Sequence, residues 1–276
     1  MHNKLTDELA VCGMNAVLAV GEYHPQTINR LFMREDRFQS FTGICKLLAE
    51  RKRPYKICED EELERICKSV HHQGVVAMIE EPVIEPLSVE DLEIWAGEGK
   101  TGIVLHSVGN DHNLGAIARA AAFFDAAFIV LNEKDTAFNE PRPGSSTMSE
   151  DSPLVDLRLT TSSYRIAEGA MEHLTIRKIT NTAAFLKDAS KKLLTIGTDT
   201  RARSRIGDLK SIFKDFKKLM KGRPGIALVL GNEETGLPKN VKEQCSHLLR
   251  IPGTGNIDSL NVSQAAALFL HAIFEL

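Results

Sequence analysis

The stretch "GIVLHSVGNDHNLGAIARAAAFFDAAFIVL", residues 102–131, decides the fold class. GIVLHSV is a short apolar run, NLGAIARAAAFF has helical spacing, and AFIVL is a second apolar run. Runs this short, rich in β-branched residues and lacking polar alternation, suit strands buried on both faces. A strand, a helix and a second strand in this order make a parallel crossover unit. The rhythm continues downstream. A helix is expected over SYRIAEGAMEHL (163–174) and strands over LLTIGTD (193–199), GIALVLG (225–231) and HLLRIP (247–252). GDLKSIFKDFKKLM (207–220) is amphipathic, with Leu209, Ile212, Phe213, Phe216 and Leu219 on one face and lysines on the other. The closing helix repeats Val262, Ala265, Ala266, Phe269, Ala272, Ile273 and Leu276 at helical spacing. This half of the chain is α/β, with a mainly parallel sheet covered on both faces.

Working back toward the start, a smaller α/β unit emerges. MNAVLAV (14–20), RFQSFTGICKLLAERK (37–52) and DEELERICKSV (60–70) predict helices. INRLFM (28–33), PYKIC (54–58) and GVVAMIE (74–80) predict strands. Pro82, Pro86 and a string of acids then interrupt the apolar rhythm, which suits a linker carrying a short helix. The expected division is a first domain over residues 1–82, a linker over 83–99 and a second domain over 100–276.

A chain of 276 residues has room for one large domain or two ordinary ones. No apolar run is long enough to span a membrane, and the start, MHNKLTDELA, lacks the layout of a secretory signal. Five scattered cysteines without a CxxC pair fit a reducing cytoplasm better than a disulfide framework or a zinc site. The net charge of −3 argues against a nucleic-acid binder until it is divided along the chain. Residues 1–100 hold 12 Lys/Arg and 18 Asp/Glu, whereas residues 187–223 alone hold 12 basic and 4 acidic groups. The latter set includes Arg201, Arg203, Arg205, Lys217, Lys218 and Lys221, and a second basic cluster joins Lys46 to RKRPYK (51–56). Such clusters suit phosphate contacts, and each is equally compatible with a solvated helix face.

Ligands collect beyond the carboxyl ends of parallel strands, so the segments after the strands are the places to look. After residues 103–108 comes GNDHNLGAIARAAA, where Asn113 can cap the helix it begins and Arg119 is the one charge inside that otherwise small and apolar helix. After 226–230 comes GNEETGLP, where Glu233 and Glu234 are candidate site groups or plain turn acids. No GxxxxGK[ST] pattern occurs, and the one GxGxxG spacing, Gly97-Glu98-Gly99-Lys100-Thr101-Gly102, leads into a strand instead of following one, so the phosphate-loop and dinucleotide readings are weak. The third segment is IPGTGNIDSLNVSQA, 251–265. Asn261 or Ser259 can cap the last helix, with Gln264 in the capping-box position for Asn261. Capping accounts for one of those two polar groups and leaves the other over.

Taken together, the three segments resemble the signature motifs of the SpoU (TrmH) family of RNA ribose 2′-O-methyltransferases. The first is matched by Asn113, Gly115 and Arg119, the second by LVLGNEETGL, and the third by IPGTGNIDSLNVSQA. CGMNAVLAV and HHQGVVAMIE in the first half resemble the ribosomal-protein-like, RNA-binding domain that precedes the catalytic domain in many members. The resemblance implies a SPOUT-class parallel sheet whose C-terminal segment is threaded into a deep trefoil knot, and a homodimer with active sites near its interface. It implies S-adenosylmethionine as cofactor, structured rRNA or tRNA as substrate, and neither a metal nor a membrane partner. By motif match, Gly231, Ile251 and Leu260 are expected to hold the cofactor, with Thr198 at the end of LLTIGT as a further candidate. Arg119, Glu233, Ser259 and Asn261 fall on the family's active-site positions, with Asn113 beside them.

These residue types suit that chemistry. The cofactor's sulfonium already makes the methyl group electrophilic. What the protein must supply is alignment of a 2′-hydroxyl, stabilisation of the developing alkoxide and a grip on the adjacent phosphate. Arg119 donates in fixed directions and suits an alkoxide or phosphate. A guanidinium pKa above roughly 12 makes it a poor general base. Glu233 is expected to fix Arg119 or its own loop, and Ser259 and Asn261 to position the substrate. Two departures stand out: Phe124 where the family often has glycine, and Gly253 where a larger residue commonly follows Ile-Pro. A non-catalytic RNA binder that keeps the fold is the alternative, and the presence of Arg119, Glu233, Ser259 and Asn261 together argues against it.

Overall fold

In the computed structural model, residues 102–131 fold as a strand, a helix and a strand: β6 (Thr101–Leu105), α5 (Asp111–Phe123) and β7 (Ala126–Asn132). The structure describes residues 2–3, 8–108, 110–133, 158–219 and 223–276. The chain forms two compact units. The first comprises residues 1–83, 114–119 and 158–173, and the second comprises 84–113, 120–157 and 174–276.

The first unit carries a five-stranded sheet. Its strands in chain order are β1 (His2–Asn3), β2 (Glu8–Cys12), β3 (Ile28–Met33), β4 (Tyr55–Ile57) and β5 (Val75–Glu80), and they lie in the order β1-β2-β5-β3-β4. Only β3 and β4 run parallel; β2 and β3 each pair with β5 antiparallel. Its helices are α1 (Met14–Tyr23), α2 (Phe38–Glu50) and α3 (Asp60–Cys67). All the strands and helices expected here form. The sequence reading omitted β2, whose five residues are all buried. With Ala10 and Cys12 in one core cluster beside Leu63 and Cys67, and Leu9 and Val11 also buried, β2 beyond Glu8 is apolar on both faces and carries no alternation. The expected helix over 163–174 is shorter. The helix α6 (Thr161–Ala167) stops because Glu168 and Gly169 take positive φ values of 48° and 92°, after which a single 3₁₀ turn covers Ala170–His173.

The second unit is a seven-stranded, all-parallel sheet. To β6 and β7 it adds β8 (Thr175–Ile179), β9 (Leu194–Thr198), β10 (Ser204–Arg205), β11 (Ile226–Leu230) and β12 (His247–Arg250). The strand order is β10-β12-β9-β11-β6-β7-β8. Helices α4 (Val89–Gly97), α7 (Thr182–Ala189), α8 (Leu209–Leu219), α9 (Lys239–Lys242) and α10 (Val262–Phe274) complete it. One sheet face turns Val104, Phe128, Val130, Ala227 and Val229 toward Trp95, Leu186 and Val241 of α4, α7 and α9. The intervening Ile103, Leu105, Ile129 and Leu228 are also fully buried, so both faces are covered.

Trp95 anchors the covered face. Its ring stacks on Phe128, with centroids 5.1 Å apart. Its Nε1–H donates to the backbone carbonyls of Lys100 (3.0 Å) and Ile226 (3.2 Å). The helix α4 is fixed by a capping box between Ser88 and Asp91, and Arg177 of β8 donates to both carboxylate oxygens of Asp91 at 2.9 and 3.2 Å. On α8, Leu209 and Phe213 are buried as the amphipathic pattern predicts. Leu219, the last residue of the helix, is 82% exposed. The helix α10 buries Val262, Ala266, Phe269 and Ile273, together with Leu270.

Candidate active site

Three loops follow β6, β11 and β12, at the carboxyl edge of the parallel sheet. The loop after β6 leads into α5. Asn113 was expected to cap this helix, but the cap is Asn110, whose side chain accepts from the His112 amide at 2.8 Å. The helix thus begins two residues before Asn113, which sits in its first turn with a free side chain. That side chain is put to another use: its amide donates to a Glu233 carboxylate oxygen in a short hydrogen bond.

The loop after β11 is shaped by Gly231 and Asn232. A Cβ on Gly231 would lie 2.5 Å from the carbonyl carbon of Gly236 and 2.6 Å from the Leu237 amide nitrogen, so the returning backbone admits only glycine. Asn232 Oδ1 accepts from the amides of Glu234 (2.9 Å) and Thr235 (3.1 Å), and its own amide donates to the Ser107 carbonyl at 2.9 Å. One asparagine therefore closes the loop and ties it to the end of β6. Sequence reading passed over Asn232, although an asparagine directly after a strand and before a glycine-bearing turn is an Asx-turn signal. The outcome is a half-buried Glu233 beside an exposed Glu234.

The third loop, residues 252–260, is exposed throughout and delivers the chain to Asn261, the cap of α10. Asn261 Oδ1 accepts from the Ser263 amide (2.9 Å) and hydroxyl (2.6 Å), so it caps through Ser263 and not through a reciprocal box with Gln264. Its amide donates to Asn113 Oδ1 at 3.1 Å. A continuous chain results: Asn261 donates to Asn113, and Asn113 donates to Glu233. The three motifs meet through three side chains. Ser259 and Leu260 lie on the exposed segment just before this junction, with Leu260 46% exposed.

Thr198, Gly231 and Ile251 stand at or just past the ends of β9, β11 and β12, three adjacent strands. Thr198 Oγ1 donates to the Val229 carbonyl at 3.3 Å, joining β9 to β11. Burial works to raise the carboxyl pKa of the next residue, Asp199, but the Arg201 amide and Lys242 Nζ, at 3.0 and 2.9 Å, outweigh it and hold the group below the ordinary carboxylate range. Arg119 is not part of the polar chain. It belongs to the first unit, where its guanidinium pairs with Glu168 at 3.0 Å. There, Glu168 also accepts from the Asn15 amide at 3.2 Å. Glu233, expected to fix Arg119 or the loop, holds Asn113. Among the described residues, no cluster of His, Cys, Asp and Glu has the makings of a metal site, and no helix is long and apolar enough to cross a membrane.

Residues 100–271 match the sequence profile described as the SpoU rRNA Methylase family. The chain belongs to this family. Residues 10–83 of this SpoU protein match a second profile, described as RNA 2′-O ribose methyltransferase substrate binding. The class of activity follows for the chain: it is an S-adenosylmethionine-dependent RNA 2′-O-methyltransferase. Among its relatives, the 23S rRNA (guanosine-2′-O-)-methyltransferase RlmB of Bordetella pertussis is 27% identical over 268 residues, covering 95% of this chain and 94% of the relative. The TrmH-family protein YacO of Bacillus subtilis is 30% identical over 207 residues, covering 74% and 70%. Among solved structures, the SpoU methyltransferase AviRb of Streptomyces viridochromogenes, determined with AdoMet, superposes with a TM-score of 0.64 at 17% identity, covering 98% of this chain and 90% of AviRb. At that identity the superposition speaks to the fold, an α/β SpoU fold with a parallel sheet.

Proposed function

We propose that this SpoU protein methylates a ribose 2′-hydroxyl of ribosomal RNA, with Asn113, Glu233, Ser259 and Asn261 as its site residues and Arg119 carrying substrate charge. The observation behind this reading is the hydrogen-bonded chain Asn261–Asn113–Glu233, which joins all three motif loops at the carboxyl edge of the sheet. Ligands gather at this edge in parallel α/β proteins.

Bound S-adenosylmethionine supplies an electrophilic methyl group. The chain's own residues suit holding such a cofactor. Gly231, Ile251 and Thr198 offer strand-end backbone on three neighbouring strands, and Leu260 offers an exposed apolar side chain. Asn113 and Asn261 orient polar groups toward the incoming ribose, and Glu233 fixes Asn113. Ser259 positions the substrate from the exposed loop. Arg119, released from Glu168, donates to the developing alkoxide or to the neighbouring phosphate. A fork of donors aimed at developing charge is worth far more in a water-poor site than in solution.

The same reading assigns residues 1–82 to RNA recruitment, 83–99 to the connection and 100–276 to methyl transfer. It takes the passage from β11 across β9 to β12 as the threading of a trefoil knot. It takes the protein as a cytoplasmic homodimer. An exposed aromatic edge supports the dimer: Phe124 packs against Phe123, His271 and Phe274 at the ends of α5 and α10, and Phe123 and Phe274 are 79% and 55% exposed. The test is incubation with labelled S-adenosylmethionine and total ribosomal RNA, followed by mapping of the modified nucleotide. Label on a single ribose is expected. Failure to label any RNA, with no cofactor binding at millimolar concentration, would favour a pure RNA binder.

A further inference from the structure

Two arginines stand side by side at the edge of the seven-stranded sheet. The edge strand β10 runs parallel to β12 in a register that sets Arg205 against Arg250. Side chains at paired positions leave the same face of a sheet, and like charges placed there repel. Among the described residues neither guanidinium has an ion-pair partner, and the nearby carboxylates are engaged elsewhere. Asp208 accepts from the Arg205 amide at 2.7 Å, and Asp199 is held by Lys242. A repelling pair without an internal counter-charge suits an external anion.

The surroundings identify the kind of anion. Arg250 directly precedes Ile251 and the exposed loop leading to Ser259 and Asn261. Arg205 leads through a single 3₁₀ turn, Ile206–Asp208, into α8. On that helix Lys210, Lys214, Lys217 and Lys218 are all exposed and fall within an arc of roughly 100° at 3.6 residues per turn. Of these four, only Lys218 has an ion-pair partner among the described residues, Asp215 at 2.7 Å. A forked pair beside the motif loop, continued by a row of lysines, matches a ligand bearing phosphates in a line. We propose that Arg205 and Arg250 together grip a backbone phosphate of the substrate RNA. Such a contact sets the position of the strand without reading its bases. This assignment rests on the RNA methyltransferase reading above.

The test compares wild-type protein with the double variant R205Q/R250Q, using purified ribosomal RNA across a salt titration. The double variant is expected to bind roughly tenfold more weakly, and its salt dependence is expected to flatten by about 0.7–0.9 in log–log slope, the share of one lost phosphate contact. Its cofactor binding by calorimetry should match wild type, and its melting temperature should hold or rise because a like-charge contact is gone. An unchanged affinity and slope would overturn the proposal while leaving methyl transfer intact. A lowered melting temperature with lost cofactor binding would make the pair structural and would also overturn it. Retained RNA binding with lost binding to poly-glutamate would assign the pair to an acidic protein segment instead. A wild-type protein that methylates no RNA would sink the activity reading, and this proposal with it.

Discussion

The side-chain amide of Asn113 donates to the carboxylate of Glu233, a residue 120 positions away, while its carbonyl oxygen accepts from Asn261, 148 positions away. Removing this middle member leaves a half-buried carboxylate without its donor. Asn113→Ala is therefore expected to destabilise the protein by about 1–3 kcal/mol. It should also slow methyl transfer by roughly 10- to 100-fold, read by single-turnover assay beside thermal melting. Asn113→Asp should be worse, since two carboxylates would face each other.

Gly231→Ala places a methyl group 2.5 Å from backbone that cannot swing away. The loop must open to admit it, at a cost of about 1–3 kcal/mol. Calorimetric titration with S-adenosylmethionine should show binding weakened by at least about tenfold. Wild-type affinity in this variant would remove Gly231 from the cofactor site.

Arg119 offers a clean separation of stability from activity. Its pair with Glu168 is largely exposed, with the arginine side chain 58% accessible, and contributes about 0–1 kcal/mol. Arg119→Ala should hence melt near wild type and bind cofactor normally. Methyl transfer should fall by about 10²–10³-fold if its charge meets the reacting oxygen. Near wild-type transfer would end that role.

Asp91 gives the protein an acid-sensitive element. Burial works to raise its pKa, but Arg177 and the Ser88 amide and hydroxyl outweigh this and hold it below the ordinary 3.8. A carboxyl depressed in the folded state adds stability above the unfolded value, and that stability is lost as the pH falls through the folded one. Asp91→Asn should thus lower the urea-unfolding free energy at neutral pH by about 1.5–3 kcal/mol. The difference from wild type should shrink as the pH is taken below 3.8. A gap that stays constant with pH would refute the ion-pair account.

The aromatic edge at Phe123 and Phe274 bears on assembly. Phe123→Asp/Phe274→Asp is expected to convert a dimer to monomer in light-scattering chromatography at unchanged melting of the isolated fold. A wild-type protein that is monomeric at all concentrations would dismiss the homodimer.

The legible parts of the fold are those where neighbouring residues carry the signal. The parallel sheet was readable because β6, β7, β9 and β11 are short apolar runs between helical segments. Strand β2 was not, because a five-residue run buried on both faces looks like the start of any apolar element. At α5 two asparagines, 110 and 113, could each begin the helix, and only the fold shows that capping by Asn110 releases Asn113 for Glu233. Motif resemblance pointed to Asn113, Glu233 and Asn261 separately. Their mutual hydrogen bonds depend on the sheet bringing three distant loops to one edge, and no local pattern encodes that. Glu168 as the partner of Arg119 was equally out of reach, since it follows from a left-handed turn that ends α6 early.

Trp95 is the sole tryptophan of the chain, and it is fully buried against Phe128 with its ring nitrogen bonded to the backbone of Lys100 and Ile226. Selectively excited fluorescence is consequently an optical readout of the second unit alone. The first unit contains none of this dye, so its melting passes unseen at that wavelength and shows only in circular dichroism. Comparing the two signals during denaturation therefore reveals whether the halves unfold in concert, without adding any label to the protein.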